Sequence, residues 1–162
     1  MPEVKEASRR WMFRGGRPNR VAVLLNRGTV AAASHGLTPK RLVTLEVRGR
    51  RTGRVISLPV VVAEHAGERY LVAMLGSDAG WVRNARAARG RVVLRHRARE
   101  AVQLEEVAPR ERAPILKRYL EVAPGARAHI PVDRHAPLAQ FEQIAEQYPV
   151  FRVVSDIASE PS

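Results

Sequence analysis

The sequence predicts a mainly β fold, a small antiparallel barrel under helical cover. Three observations carry that expectation. Five or six short apolar segments with strand character follow one another from Arg41 onward at hairpin spacing. One short helical segment is inserted among them and two more come late in the chain. The length of 162 residues suits one domain, or one domain with an extra terminal element, and the 45% apolar content suits a packed core. A barrel also explains how a small β protein hides its sheet edges.

Each element has its own local reason. Residues 1–20 are polar and basic, with Gly15, Gly16 and Pro18, and read as a mobile tail or a loosely docked helix. Residues 19–34 have helical character weakened by Gly28, and His35 to Pro39 break it. In residues 41–48, Val43, Leu45 and Val47 alternate with Thr44, Glu46 and Arg48, the period of a half-buried strand. Residues 49–53 form a turn. Residues 55–63 are apolar on both faces and read as a central strand, with Pro59 marking a bulge or a local edge. Residues 64–68 read as a hairpin loop and 69–75 as a third strand. After a loop at 76–80, residues 81–88 form a short helix with Asp78 as N-cap and Gly90 beyond its end. Residues 91–98 and 100–107 are two further strands. Residues 109–120 form a helix with Ile115, Leu116, Tyr119 and Leu120 on one side. After an irregular stretch at 124–133, residues 137–147 form a helix burying Leu138, Phe141 and Ile144. Residues 148–154 close as a strand. The expected domains are an N-terminal segment (1–38), the barrel (39–155) and a tail (156–162).

Composition bounds the chemistry. There is no cysteine, which excludes disulfides, thiolate metal sites and a cysteine nucleophile. The net charge of +12 is uneven: residues 1–54 carry +10, residues 55–98 carry +4 and residues 99–162 carry −2. Such a field favours an anionic partner. Since 25 of the 28 basic residues are arginine, a solvated Arg-rich surface is the plain alternative for any one of them. Only 5% of residues are aromatic, which argues against base-stacking platforms and a specific nucleic-acid partner. The chain begins without the charged and then apolar run of a signal peptide, and no apolar run nears the roughly 20 residues that span a bilayer, so a cytoplasmic protein is expected. The cluster Trp11-Met12-Phe13, flanked by Arg9, Arg10 and Arg14, has the form of an interfacial membrane anchor, and a docked N-terminal helix is the competing reading.

Several reactions lack their residues. None of the five histidines pairs at a ligand spacing, so no metal site is expected. Gly76-Ser77-Asp78-Ala79-Gly80 lacks the spacing of a nucleophile elbow. Glu105 and Glu106 are adjacent in a strand and face opposite sides. Two signals for anion binding remain. Gly49-Arg50-Arg51-Thr52-Gly53-Arg54 is a glycine-bounded turn loaded with guanidinium groups, which bind phosphate and carboxylate in forked pairs. Gly76-Ser77 follows a strand and leads to a helix start near Trp81, which could wall a flat ligand.

These segments, in this order, resemble the deazaflavin-dependent nitroreductase family, which has a split β-barrel of the FMN-binding type. The matching stretches are Val47 to Gly53, Ser57 to Val60, Leu71 to Ser77 and Trp81 to Asn84, with His129 to Asp133, Ala136 to Leu138 and Tyr148 to Arg152 in the last third. The resemblance implies a six- to seven-stranded antiparallel split β-barrel with covering helices. It implies an oxidoreductase that passes a hydride from reduced coenzyme F420, an 8-hydroxy-5-deazaflavin, to a small electron-poor organic acceptor such as a quinone or nitro compound. FMN is the alternative cofactor. Arg50, Arg51 and Thr52 would hold the anionic end, Ser57 and Pro59 would lie near the cofactor, and Met74, Leu75, Gly76 and Ser77 would line its ring. Trp81, Asn84 and Arg86 would close the site, and Ser77 or water would supply the proton. The loop departs from many relatives in its acidic Asp78, and Val82 follows Trp81 where many carry tyrosine, which leaves the acceptor open. The other readings are a non-enzymatic flavin or deazaflavin carrier on the same barrel and a nucleic-acid binder. The chain is expected to be a monomer or a homodimer.

Overall fold

The structure, a computed structural model, describes residues 41–156. Seven strands, β1 (Leu42–Arg48), β2 (Val55–Val61), β3 (Ala63–His65), β4 (Glu68–Val72), β5 (Arg91–His96), β6 (Ala98–Glu106) and β7 (Val150–Ser155), make one sheet. Their order across it is β2-β1-β5-β6-β7-β4-β3, and every pairing is antiparallel. β2 and β4 stand far apart in that order and still touch, so the sheet curls on itself. Helix α1 (Gly80–Ala87) is inserted between β4 and β5, while α2 (Ala113–Val122) and α3 (Leu138–Ile144) lie between β6 and β7. This is the mainly β barrel with three helices that the sequence predicts. The expected helix at 19–34, the basic-aromatic cluster at 9–14 and the tail beyond Asp156 lie outside the described residues.

Two cores hold the fold. Val43, Leu45 and Val47 of β1, Leu71 of β4, Val92 and Leu94 of β5, Val102 and Leu104 of β6 and Phe151 and Val153 of β7 close around Val82 and Ala85 of α1. On the other face of β3 and β4, Ala63, Tyr70 and Val72 pack on Ile115, Leu116, Tyr119 and Leu120 of α2 and on Phe141 of α3. The spacing of those α2 residues is the apolar stripe of an amphipathic helix.

The structure changes several local expectations. β2 is an edge strand rather than a central one, with Val55 56% and Ile56 43% exposed at its start. Pro59 is compatible with this because an edge strand leaves half its N–H groups out of the ladder. β1 is buried on both faces rather than half-buried: Thr44 is fully buried, and Glu46 is buried between Arg95 (3.3 Å) and Arg99. The hairpin after β3 uses only Ala66 and Gly67, both with positive φ, and β4 stops at Val72, where Ala73 N–H turns to the Pro149 carbonyl (2.9 Å). Asp78 does not cap α1. Ala79 holds the cap position without a side-chain bond, and Asp78 pairs with Arg83 at 2.8 Å. A 3-10 turn (Pro109–Glu111) precedes α2, and another (Ala145–Gln147) takes over from α3. Leu138, the first residue of α3, is 44% exposed rather than buried, and Phe141 is the residue that reaches the core.

Candidate functional site

The turn between β1 and β2 is built by its own backbone. Gly49 N–H donates to the Arg54 carbonyl (2.7 Å) and Gly53 N–H to the Gly49 carbonyl (2.9 Å). A Cβ on Gly49 would stand 3.2 Å from both the Arg54 carbonyl oxygen and Thr52 Oγ1. Arg48 reaches across to the Gly53 carbonyl (2.9 Å), and Thr52 Oγ1 accepts from Arg54 N–H (3.3 Å). Arg51, Thr52 and Arg54 are exposed. Arg50 is held from outside the turn. Its N–H (3.1 Å) and its guanidinium (2.8 Å) both donate to Oδ1 of Asn84, a residue of α1 that is only 4% exposed. An amide carbonyl has two lone pairs, and here the two bonds fill both.

The start of α1 carries the second candidate segment. Gly76 N–H donates to the Ala73 carbonyl (3.0 Å) and Ala79 N–H to the Gly76 carbonyl (3.2 Å), so the loop folds on itself before the helix begins. Leu75 and Ser77 are exposed, and Met74 is half-buried against the α2–α3 core. Trp81 is half-buried and meets Phe151 with ring centroids 5.6 Å apart and tilted by 58°. That geometry is a favourable aromatic pairing, so Trp81 has a structural share besides any ligand contact. With Leu58, Val60 and Ala79 it forms the partly open rim of the inner core.

The sequence-derived residues therefore fall into three sets. Arg50, Arg51 and Thr52 share the turn, which Arg50 joins to Asn84 in the middle of α1. Leu75, Gly76, Ser77 and Trp81 gather at its beginning. Ser57 and Pro59 pair with Glu46 and Thr44, and so share the face of β2 that alternates with Leu58 and Val60 and points away from the inner core. Arg86 is engaged by Glu106 at 2.6 Å. Two hollows among the described residues, of about 290 and 470 Å³, lie elsewhere. They flank the β3–β4 hairpin and share Gly67 and Arg69, whose guanidinium is already bound twice by Glu100 (3.0 and 2.7 Å). Both hollows are open and mainly polar, unlike the enclosed apolar pockets that small ligands fill.

Sequence reasoning missed Arg112. It is 5% exposed, and burial pushes its pKa below the ordinary arginine value, opposed by the nearby Glu106 carboxylate. One signal was present: Arg112, Ile115, Leu116 and Tyr119 stand at i, i+3, i+4 and i+7, which puts an arginine on the buried stripe of α2.

Comparison with known proteins follows the same lines. The model of a family described as F420H(2)-dependent quinone reductase matches residues 18–142. No match was found among curated proteins. Among solved structures, one described as a domain-swapped dimer is 21% identical, with a TM-score of 0.50, covering 83% of this chain and 93% of its own. A protein of unknown function from Agrobacterium tumefaciens is 13% identical with a TM-score of 0.53, over 79% of this chain and 54% of its own. A structure described as an F420-H2 dependent reductase is 22% identical with a TM-score of 0.48, over 70% and 94%. At these identities the structural likeness is one of fold.

Proposed function

This chain belongs to the F420H(2)-dependent quinone reductase family, and on that premise we propose that it reduces a quinone at the rim beside α1. It is an F420H2-dependent oxidoreductase, which displaces the carrier reading. The observation that carries the placement is the pair of bonds from Arg50 to Asn84, which ties the basic turn to the helix that begins at the Gly76–Ser77 loop.

The donor set fits an anionic, flat cofactor. Arg51 and Arg54 present exposed guanidinium groups beside backbone that Gly49 keeps open, and Trp81, Leu58 and Val60 offer an apolar rim. When bound, reduced F420 supplies the hydride. Arg50, Arg51 and Thr52 would hold its anionic end and Met74, Leu75, Gly76 and Ser77 would line its ring, while Ser57 and Pro59 lie on the face of β2 opposite the Leu58–Val60 rim. Ser77 or water delivers the proton that, with the hydride, turns a quinone into a hydroquinone. Hydride transfer needs orientation and electrostatics more than a catalytic acid–base pair, which suits a site with neither a triad nor paired carboxylates. F420 is favoured over FMN by the family. Trp11-Met12-Phe13 with its flanking arginines supports contact with a bilayer surface, where a lipid-soluble quinone would be met. The relative described as a domain-swapped dimer favours the homodimer over the monomer.

Titrating the protein with oxidised F420 and following the cofactor's fluorescence is the test. A saturable change at roughly tens of micromolar or below is expected, and a flat titration rejects the proposal. Charge-assisted bonds contribute about 1.5–3 kcal/mol each, so Arg50→Ala with Arg51→Ala should weaken binding more than tenfold. Unchanged affinity in that folded double variant removes the turn from the site.

A further inference from the structure

Arg112 is the most buried cation among the described residues, and two of its contacts lead toward the Gly76–Ser77 loop. Its Nε donates to the Val107 carbonyl (2.8 Å), just beyond β6. Its Nη1 donates to the Ala145 carbonyl (3.0 Å) and, more weakly, to that of Tyr148 (3.5 Å). Those two carbonyls bracket the 3-10 turn between α3 and β7. That stretch is what the loop rests on. The Pro149 carbonyl accepts from Ala73 N–H (2.9 Å), and the Gln147 carbonyl oxygen lies 3.4 Å from where a Gly76 Cβ would be.

The second path runs through Glu106. Its Oε1 meets Arg112 Nη2 at 3.5 Å and Arg86 Nη2 at 2.6 Å. Arg86 sits on α1, the helix that continues from the loop. The loop is thus clasped from two sides, by the 145–149 stretch at one end and by α1 at the other, and both clasps meet at one guanidinium. A lysine could keep the charge facing Glu106, but its compact ammonium could not span Val107, Ala145 and Tyr148 at once.

We propose that Arg112, with Glu106 as its acidic partner, is the positioning residue that holds the Gly76–Ser77 loop in register with the cofactor site. This rests on reading that loop as the ring-binding wall. Arg112 touches no reacting atom. It sets the place of Ser77, whereas the turn at residues 49–54 keeps its shape through its own backbone hydrogen bonds, so ring alignment should suffer more than affinity.

Arg112→Met, Arg112→Lys and Glu106→Gln are compared with Arg69→Met, which breaks the Arg69–Glu100 bridge near the other end of β6. The measurements are amide hydrogen exchange at residues 73–79, F420 affinity, and kcat with a soluble naphthoquinone. Exchange at 73–79 should accelerate by about tenfold or more in both Arg112 variants. A displacement of about 1 Å can cost on the order of 100-fold in rate, so kcat should fall by roughly 10- to 100-fold. Affinity should stay within about threefold, because the turn is untouched. Glu106→Gln should show the same pattern more weakly, and Arg69→Met should lose thermal stability with loop exchange and kcat unchanged. Normal loop exchange in the Arg112 variants overturns the proposal, as does an equal loss of kcat in Arg69→Met. Should Arg112→Met not fold, unchanged exchange in Arg112→Lys and Glu106→Gln overturns it on its own. Wild-type protein that fails to bind F420 rejects the functional reading instead, and exchange at 73–79 distinguishes the two failures.

Discussion

Asn84 shows how one buried side chain can couple distant pieces of chain. Its Oδ1 accepts both bonds from Arg50, 34 positions earlier. A carboxylate there would pull the guanidinium out of reach of any ligand, whereas a neutral amide orients it and leaves its charge available. Tyr119 makes a different kind of residue-scale statement. Burial pushes its phenol up to about 12 from the ordinary 10. A group whose pKa is raised on folding stabilises the fold fully below its unfolded value and loses that contribution as pH climbs through the folded one. Stability should therefore fall between about pH 10 and 12, by up to roughly 2–3 kcal/mol. Thermal unfolding of wild type and Tyr119→Phe across that range checks it: the variant should lose the part of the alkaline decline that belongs to this phenol. Tyr148 is shifted in the same direction by burial, so a smaller decline should persist in the variant.

Among the elements, α1 places the site and depends on how it ends. Gly90 N–H returns to the Ala85 carbonyl (2.8 Å), Gly90 has φ +79°, and a Cβ on it would stand 2.3 Å from the Leu104 carbonyl oxygen. The collision is with backbone of β6, which cannot move without shifting the inner core. Gly53 also has positive φ (+72°), yet a Cβ there would meet nothing within 4 Å. The two positions separate conformational strain from collision. Gly53→Ala should cost about 1–2 kcal/mol. Gly90→Ala should exceed that, at roughly 3–5 kcal/mol. Equal shifts in denaturant midpoint would contradict the packing of α1's end against β6.

At the scale of the whole molecule, the charge of +12 is concentrated in the first two-thirds, which contain the turn, the loop and α1. Steering of an anionic cofactor should then weaken as salt rises. With a Debye length near 10 Å at 0.1 M, a tenfold rise in salt should slow F420 association by about tenfold or more, and stopped-flow fluorescence that finds no change would remove the field from the recognition of cofactor. The local chemistry of this protein was legible in the chain. Glycines and arginines declare the turn at 49–54, alternation declares β1, and the apolar stripe declares α2, because each depends on near neighbours in sequence. The order of strands was not legible. Residues 55–63 read as central because both faces are apolar, and β2 is an edge because the curl of the sheet, not its own composition, covers it. Asn84 and Arg112 found their partners 34 and 33 positions away, at distances where no local pattern can name the other half of a bond. The sequence by itself determined where the basic turn, β1 and the apolar stripe of α2 would form. Only the tertiary structure decided that the basic turn and the Gly76–Ser77 loop meet the same helix, since that depends on closing long loops whose entropy cost is met by the two cores together.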